Sequence, residues 1–179
     1  MRKEIKFKVF FKDLGKLYSW IYNSSFKKSY PSRSVNSLYY DTPNLDFAEC
    51  NISGVAKRIK IRARWYTKSE EDFFKSFQAK NQNFRFEIKR KRNILSDKKI
   101  LSEAKFHTED SIANRRIQLR KQIRSHILKD NNLSKLIIDD VVFVRYEREY
   151  FEHFLSENLR LTIDKNLLCS KIQSFLNLN

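Results

Sequence analysis

A chain of 179 residues with 37 lysines and arginines against 21 acids, a formal net charge of +16, is long enough for one domain around a single core and too basic to lack an anionic partner. Its 41% hydrophobic residues, with 15 Phe and 8 Tyr, exclude a disordered basic tail and leave nucleic acid, an acidic membrane surface or a polyphosphate as partner classes. Two glycines and two prolines leave no Gly-rich phosphate loop or dinucleotide fingerprint, and Cys50 and Cys169 form no CxxC pair for zinc, so side chains must hold any phosphate.

In chain order, residues 2–10 alternate Ile5, Phe7 and Val9 with Glu4, Lys6 and Lys8, which predicts a strand with one buried face. Residues 12–23 place Leu14, Leu17, Tyr18 and Ile21 at helical spacing, with Asp13 near the helix start. A strand follows over 36–42 (NSLYYDT). Residues 57–66 alternate most clearly: Ile59, Ile61, Ala63 and Trp65 share one face, Arg58, Lys60, Arg62 and Arg64 the other. The acidic run Glu70–Asp72 reads as a solvated loop. Residues 84–92 set Phe84, Phe86 and Ile88 against Arg85, Glu87, Lys89 and Lys91, and a further strand spans about 98–106.

Thr108 is the expected N-cap of a helix over 109–129, with Ile112, Leu119, Ile123 and Ile127 as its apolar stripe. Arg115, Arg116, Arg120, Lys121 and Arg124 make its basic face. Asp139-Asp140 is either a turn before the next strand or a pair of metal ligands. Strands then follow over 141–151 and 158–164, the last with Leu159, Leu161 and Ile163 opposite Arg160, Thr162 and Asp164. His107, His126 and His153 have no metal-ligand spacing and read as surface residues. No apolar run of signal-peptide or membrane-spanning length occurs, so a cytoplasmic protein is expected.

Seven strands, mostly antiparallel, with two helices make an α+β protein. Antiparallel sheets commonly leave one face in water. Here, however, the charged faces are nearly all positive, and neighbouring like charges repel. A sheet curled into a barrel with its apolar face outward, under the helices, would turn these residues into a basic lumen that focuses positive potential on a chain of phosphates.

The segments RKEIKFK (2–8), SLYYDT (37–42), RIKIRARWY (58–66), FEIKRKR (86–92), VRYERE (144–149) and LRLTID (159–164) occur in the order found in the VTC domain, and the chain resembles that family from about Arg2 to Asp164. The VTC domain is the polyphosphate polymerase module of the triphosphate tunnel, or CYTH-like, group. The resemblance implies an antiparallel tunnel with a basic lumen and flanking helices. It implies transfer of the γ-phosphoryl of a nucleoside triphosphate to a polyphosphate chain, with a divalent metal, Mn or Mg.

By the same resemblance, Arg62 and Arg64 match the RxR pair, Lys89 the lysine of ExK, Arg148 the arginine of YxR, and Arg160 the arginine before TID; these five are assigned to catalysis. Lys6, Lys60, Lys91, Lys99 and Tyr146 are assigned to substrate binding. Either Lys98 or Lys99 supplies the lysine after the ExK strand, and Tyr146 is either a hydrogen-bond donor to phosphate or a core aromatic.

The first strand reads Arg2, Glu4, Lys6 where the related triphosphatases have ExExK, which favours the VTC branch. That family continues past TID with a strand bearing a metal-binding Glu and a helix with an SKY-like motif. The chain is therefore expected to be a single VTC-like domain, 1–179, with about seven strands of an incomplete barrel: first a C-terminally truncated chain that turns over weakly or not at all, otherwise one whose barrel a partner completes or one that has lost catalysis. The partners expected are polyphosphate or a nucleoside triphosphate, with any membrane-protein partner undetermined. The competing functions are triphosphate hydrolysis in the same tunnel and a non-catalytic polyanion-binding module, including one for nucleic acid.

Overall fold

The computed structural model describes residues 4–68, 72–92 and 95–172. After a 3-10 turn at Phe11–Asp13 come α1 (Leu14–Asn23), β1 (Phe26–Asp41), α2 (Asp46–Ile52), β2 (Lys57–Thr67) and α3 (Phe73–Gln78). They are followed by β3 (Asn83–Arg92), β4 (Leu95–Lys105), α4 (Ile112–Ile127), β5 (Asp139–His153) and β6 (Ser156–Lys171). The strands form one antiparallel sheet in the order β4-β3-β2-β1-β5-β6. This is the α+β class that the alternation predicts, but the sheet is open rather than closed into a barrel, and six strands rather than seven are present among the described residues.

The missing strand is the first. Residues 4–10 form no strand, and Ile5 and Phe7 are 64% and 84% exposed. Alternation specifies which face of a strand would be apolar, but a strand exists only where a neighbour takes its backbone hydrogen bonds. No described strand pairs with this segment.

Two compact units divide the residues: Met1–Ser32 with Arg148–Ile163, and Arg33–Glu147 with Asp164–Asn179. In the first, Ile21 of α1, Phe26, Phe151 and Ile163 make a small core against which Leu17 and Tyr18 pack, so the apolar face predicted for α1 is the one buried. The Tyr18 hydroxyl donates to Glu149 Oε2 (2.5 Å).

The second unit holds the main core. Ile61, Ala63 and Trp65 of β2, Phe84, Phe86 and Ile88 of β3, and Leu38 and Tyr40 of β1 meet Leu119, Ile123 and Ile127 of α4. Trp65 is ringed by Phe73, Phe77, Phe84 and Phe143 at 5.0–5.7 Å between ring centroids. Its indole N–H donates to Ser76 Oγ (3.3 Å).

The short helices escape periodicity because neither completes two turns of pattern. Their signals are caps. The Asp41 carboxylate, which ends the YYD run of β1, accepts from the backbone N–H groups of Thr42, Phe47 and Ala48 at 2.8–2.9 Å and so starts α2. Asp72 caps α3, its Oδ1 accepting from Lys75 N (2.9 Å); Glu70 and Glu71 of the acidic run lie outside the described residues. Asp72→Ala should cost about 1 kcal/mol of stability, the usual worth of an N-cap, read as a lowered urea midpoint.

The long helix begins later than predicted. Ser111, not Thr108, is its N-cap and accepts from Asn114 N (3.2 Å). Arg115 is not on the helix's basic face but fully buried, donating to the carbonyls of Gln78 (3.0 Å) and Thr108 (2.8 Å) with its guanidinium over the Phe106 ring. Arg116 and Arg120 bind Asp140, and Arg120 also Asp139. The Asp139-Asp140 pair therefore opens β5 as the partner of α4. No helix among the described residues is long and apolar enough to cross a membrane.

Candidate functional site

The second unit's sheet has a second face, opposite the Trp65 core. On β2 it carries Arg58, Lys60, Arg62 and Arg64, and the antiparallel register sets each against a residue of β3: Lys91, Lys89, Glu87 and Arg85. Lys89 in turn faces Lys98 of β4. Directly opposed like charges destabilise a sheet, and here Arg58–Lys91, Lys60–Lys89, Arg64–Arg85 and Lys89–Lys98 are all such pairs. Arg62 opposite Glu87 and Arg85 opposite Glu103 are the exceptions.

Glu87 is the hub. It is 1% exposed. Arg62 donates to its Oε2 from Nε (2.8 Å) and holds a terminal nitrogen 2.7 Å from the same oxygen, and Lys98 Nζ lies 2.7 Å from Oε1. Arg64 stands further off, 3.9 Å from Oε2. Burial alone would push the Glu87 carboxyl up, but Arg62, Lys98 and Arg64 outweigh it and hold the group below the usual carboxylate range.

Tyr39 and Ser37 of β1 complete the face. Arg62 donates to the Tyr39 hydroxyl (3.1 Å), and Arg64 donates to Ser37 Oγ (3.3 Å) and the Tyr146 hydroxyl (3.5 Å). Burial raises the Tyr39 phenol, yet the charges of Arg62, Arg64 and Lys60 overcome it and leave the pKa lowered, a sign of strongly positive potential.

Ser37, Arg64 and Glu87 are buried although they lie on the side of the sheet away from the hydrophobic core. The sequence pattern of the VTC domain matches residues 1–179, the whole chain. The chain belongs to the VTC domain family. No curated protein matches it.

Membership suggests a polyphosphate-related function for the chain. Of the residues assigned from the sequence, Arg62 and Arg64 of this VTC domain meet Glu87, Lys60 and Lys89 lie next to them on the same face, Tyr146 joins through Arg64, and Lys91 continues the face beside Arg58. The register separates the two candidate lysines of β4. Lys98 reaches Glu87, whereas Lys99 faces Ile88, a core residue, and so lies on the other side of the strand. A register irregularity between Phe86 and Glu87 shifts the pairing there and lies beyond a local reading of the sequence.

Lys6, Arg148 and Arg160 belong to the other unit. Lys6 is exposed in the segment before α1, 3.8 Å from Glu4, Arg148 is half-buried on β5, and Arg160 is exposed on β6, 3.4 Å from Glu152. Glu87, Tyr39 and Ser37 are the participants that the assignment from sequence lacks. Alternation already places Glu87 on the polar face of its strand, but nothing local marks it as the ion that β2 and β4 both meet.

The described side chains do not by themselves form a closed site for the divalent ion that the resemblance implies. A hard cation takes several oxygen ligands at once, and among the described residues no three His, Cys, Asp or Glu side chains come together. Glu87 is committed to Arg62 and Lys98, and Asp139 and Asp140 to α4.

Proposed function

We propose that this VTC domain binds a linear chain of phosphates along the Lys60–Arg62–Arg64–Lys89–Lys98 face, and that this face lines a tunnel. The observation that carries the reading is the burial of Ser37, Arg64 and Glu87 on the polar side of the sheet. A sheet face that simply met water would leave such groups exposed, and rows of opposed cations gain a reason once an anion lies between them. Arginine offers bidentate donors to phosphate oxygens, lysine a mobile point charge. For Lys6, Arg148 and Arg160 the same role rests on the resemblance to the family, as does the use of a nucleoside triphosphate.

In the polymerase form of this reading, a terminal oxygen of the phosphate chain attacks the γ-phosphorus of the nucleoside triphosphate. The bond to the β-phosphate bridging oxygen breaks, and nucleoside diphosphate leaves. The chain's own residues position the two polyanions and stabilise the charge that moves to the departing oxygen, which is most of what phosphoryl transfer asks of a protein.

Titration calorimetry tests the binding step. Tripolyphosphate should bind more than about tenfold more tightly than inorganic phosphate, since each further phosphate gains charge-assisted contacts worth about 1.5–3 kcal/mol. Ionic strength must be matched, because all such interactions weaken in salt. Duplex DNA binding as tightly as tripolyphosphate would transfer the assignment to a nucleic-acid module.

A further inference from the structure

Building on the phosphate-binding reading, we infer that Glu87 is the resident counter-ion of the site, and that an incoming phosphate chain takes Lys98 from it while Arg62 stays. The two cations on Glu87 are held differently. Arg62 is 13% exposed and tied three ways, twice to Glu87 Oε2 and once to Tyr39. Lys98 is 40% exposed, stands on an outer strand and meets Oε1 through one ammonium. A planar guanidinium gripped on two sides is fixed in place, whereas an ammonium on a flexible four-carbon stem can move between acceptors.

The carboxylate also offsets repulsion among the cations of this face. Lys89 lies between Lys60 and Lys98 in register, and three opposed ammonium groups on adjacent strands repel. Glu87, next along the same face, supplies a fixed negative charge among them. The same charge opposes any anion that enters. A phosphate oxygen must compete for Lys98 at the exposed end of the ion pair, so Glu87 sets how strong an anion the site accepts.

The test measures tripolyphosphate binding, with chelator present, to the full chain and to Glu87→Gln, Lys98→Ala and the double variant. Glu87→Gln should bind about tenfold more tightly, because the phosphate no longer has to compete with a carboxylate for Lys98. In the Lys98→Ala background the same change should gain less than about twofold, the non-additivity expected of two groups that act on each other. A folded Glu87→Gln protein that binds no more tightly, or more weakly, overturns the inference while leaving the phosphate site standing. Failure of the unmodified chain to bind tripolyphosphate overturns the site itself, and this inference with it. Side-chain NMR of the unmodified protein covers the case in which Glu87→Gln does not fold. Saturation with tripolyphosphate should shift the Lys98 Nζ and Glu87 carboxyl signals and leave the Arg62 Nε–H hydrogen-bonded; an undisturbed Lys98 would refute the exchange.

Discussion

Arg64→Ala should weaken tripolyphosphate binding by about 10- to 100-fold, the loss expected for a charge-assisted hydrogen bond of about 1.5–3 kcal/mol. Arg64 is 7% exposed, and its hydrogen-bond partners, Ser37 and Tyr146, are neutral. The negative charge nearest to it, Glu87, is 3.9 Å away and already engaged at 2.7 Å by both Arg62 and Lys98. A buried cation so weakly compensated gains most from an anion placed beside it. Arg62→Ala is expected to lower affinity too, but it also strips Glu87 of its closest hydrogen-bonding partner and so costs stability. Arg64 is therefore the cleaner probe. Calorimetry with far-UV circular dichroism as a folding control decides the matter: unchanged affinity in a folded Arg64→Ala protein would remove this arginine from the site.

The second large effect concerns the opposite face of the same strand. Trp65→Ala should cost about 3–5 kcal/mol, the range for deleting a buried large aromatic, and lower the melting temperature by roughly 6–20 °C for a chain of this size. Trp65 has no exposed surface and packs against four phenylalanines drawn from α3, β3 and β5. Deletion leaves a cavity in the main core and removes the indole N–H that the Ser76 hydroxyl accepts. Because its neighbours Arg64 and Tyr66 point to the other side of β2, the protein that remains folded well below the transition should keep its tripolyphosphate affinity. A loss of under 1 kcal/mol in urea unfolding would show that the ring cluster is less tightly packed than its centroid distances imply.

What the sequence by itself determined was the assignment of faces. Period-two alternation over 57–66 is a local property, and it placed Trp65 in the core and Arg62 and Arg64 opposite it because successive side chains of a strand point to opposite sides. The apolar stripe of α4 was legible on the same grounds: Leu119, Ile123 and Ile127 recur at helical spacing and are buried. Only the tertiary structure decided pairing, register and partners. Residues 4–10 alternate as well as some true strands do, yet form none, since a strand needs a neighbour and periodicity is silent on which neighbour exists. Arg115 shares its basic sequence context with Arg116, yet is buried under Phe106 because the carbonyls of Gln78 and Thr108 come to it from elsewhere in the chain. Lys98 rather than Lys99 reaches Glu87 because of where β4 pairs with β3. Glu87 looks like one polar residue among basic ones until three strands are laid side by side. Its importance comes from electrostatics between strands 11 and 25 residues away in sequence, and such contacts leave no periodic trace in the order of amino acids.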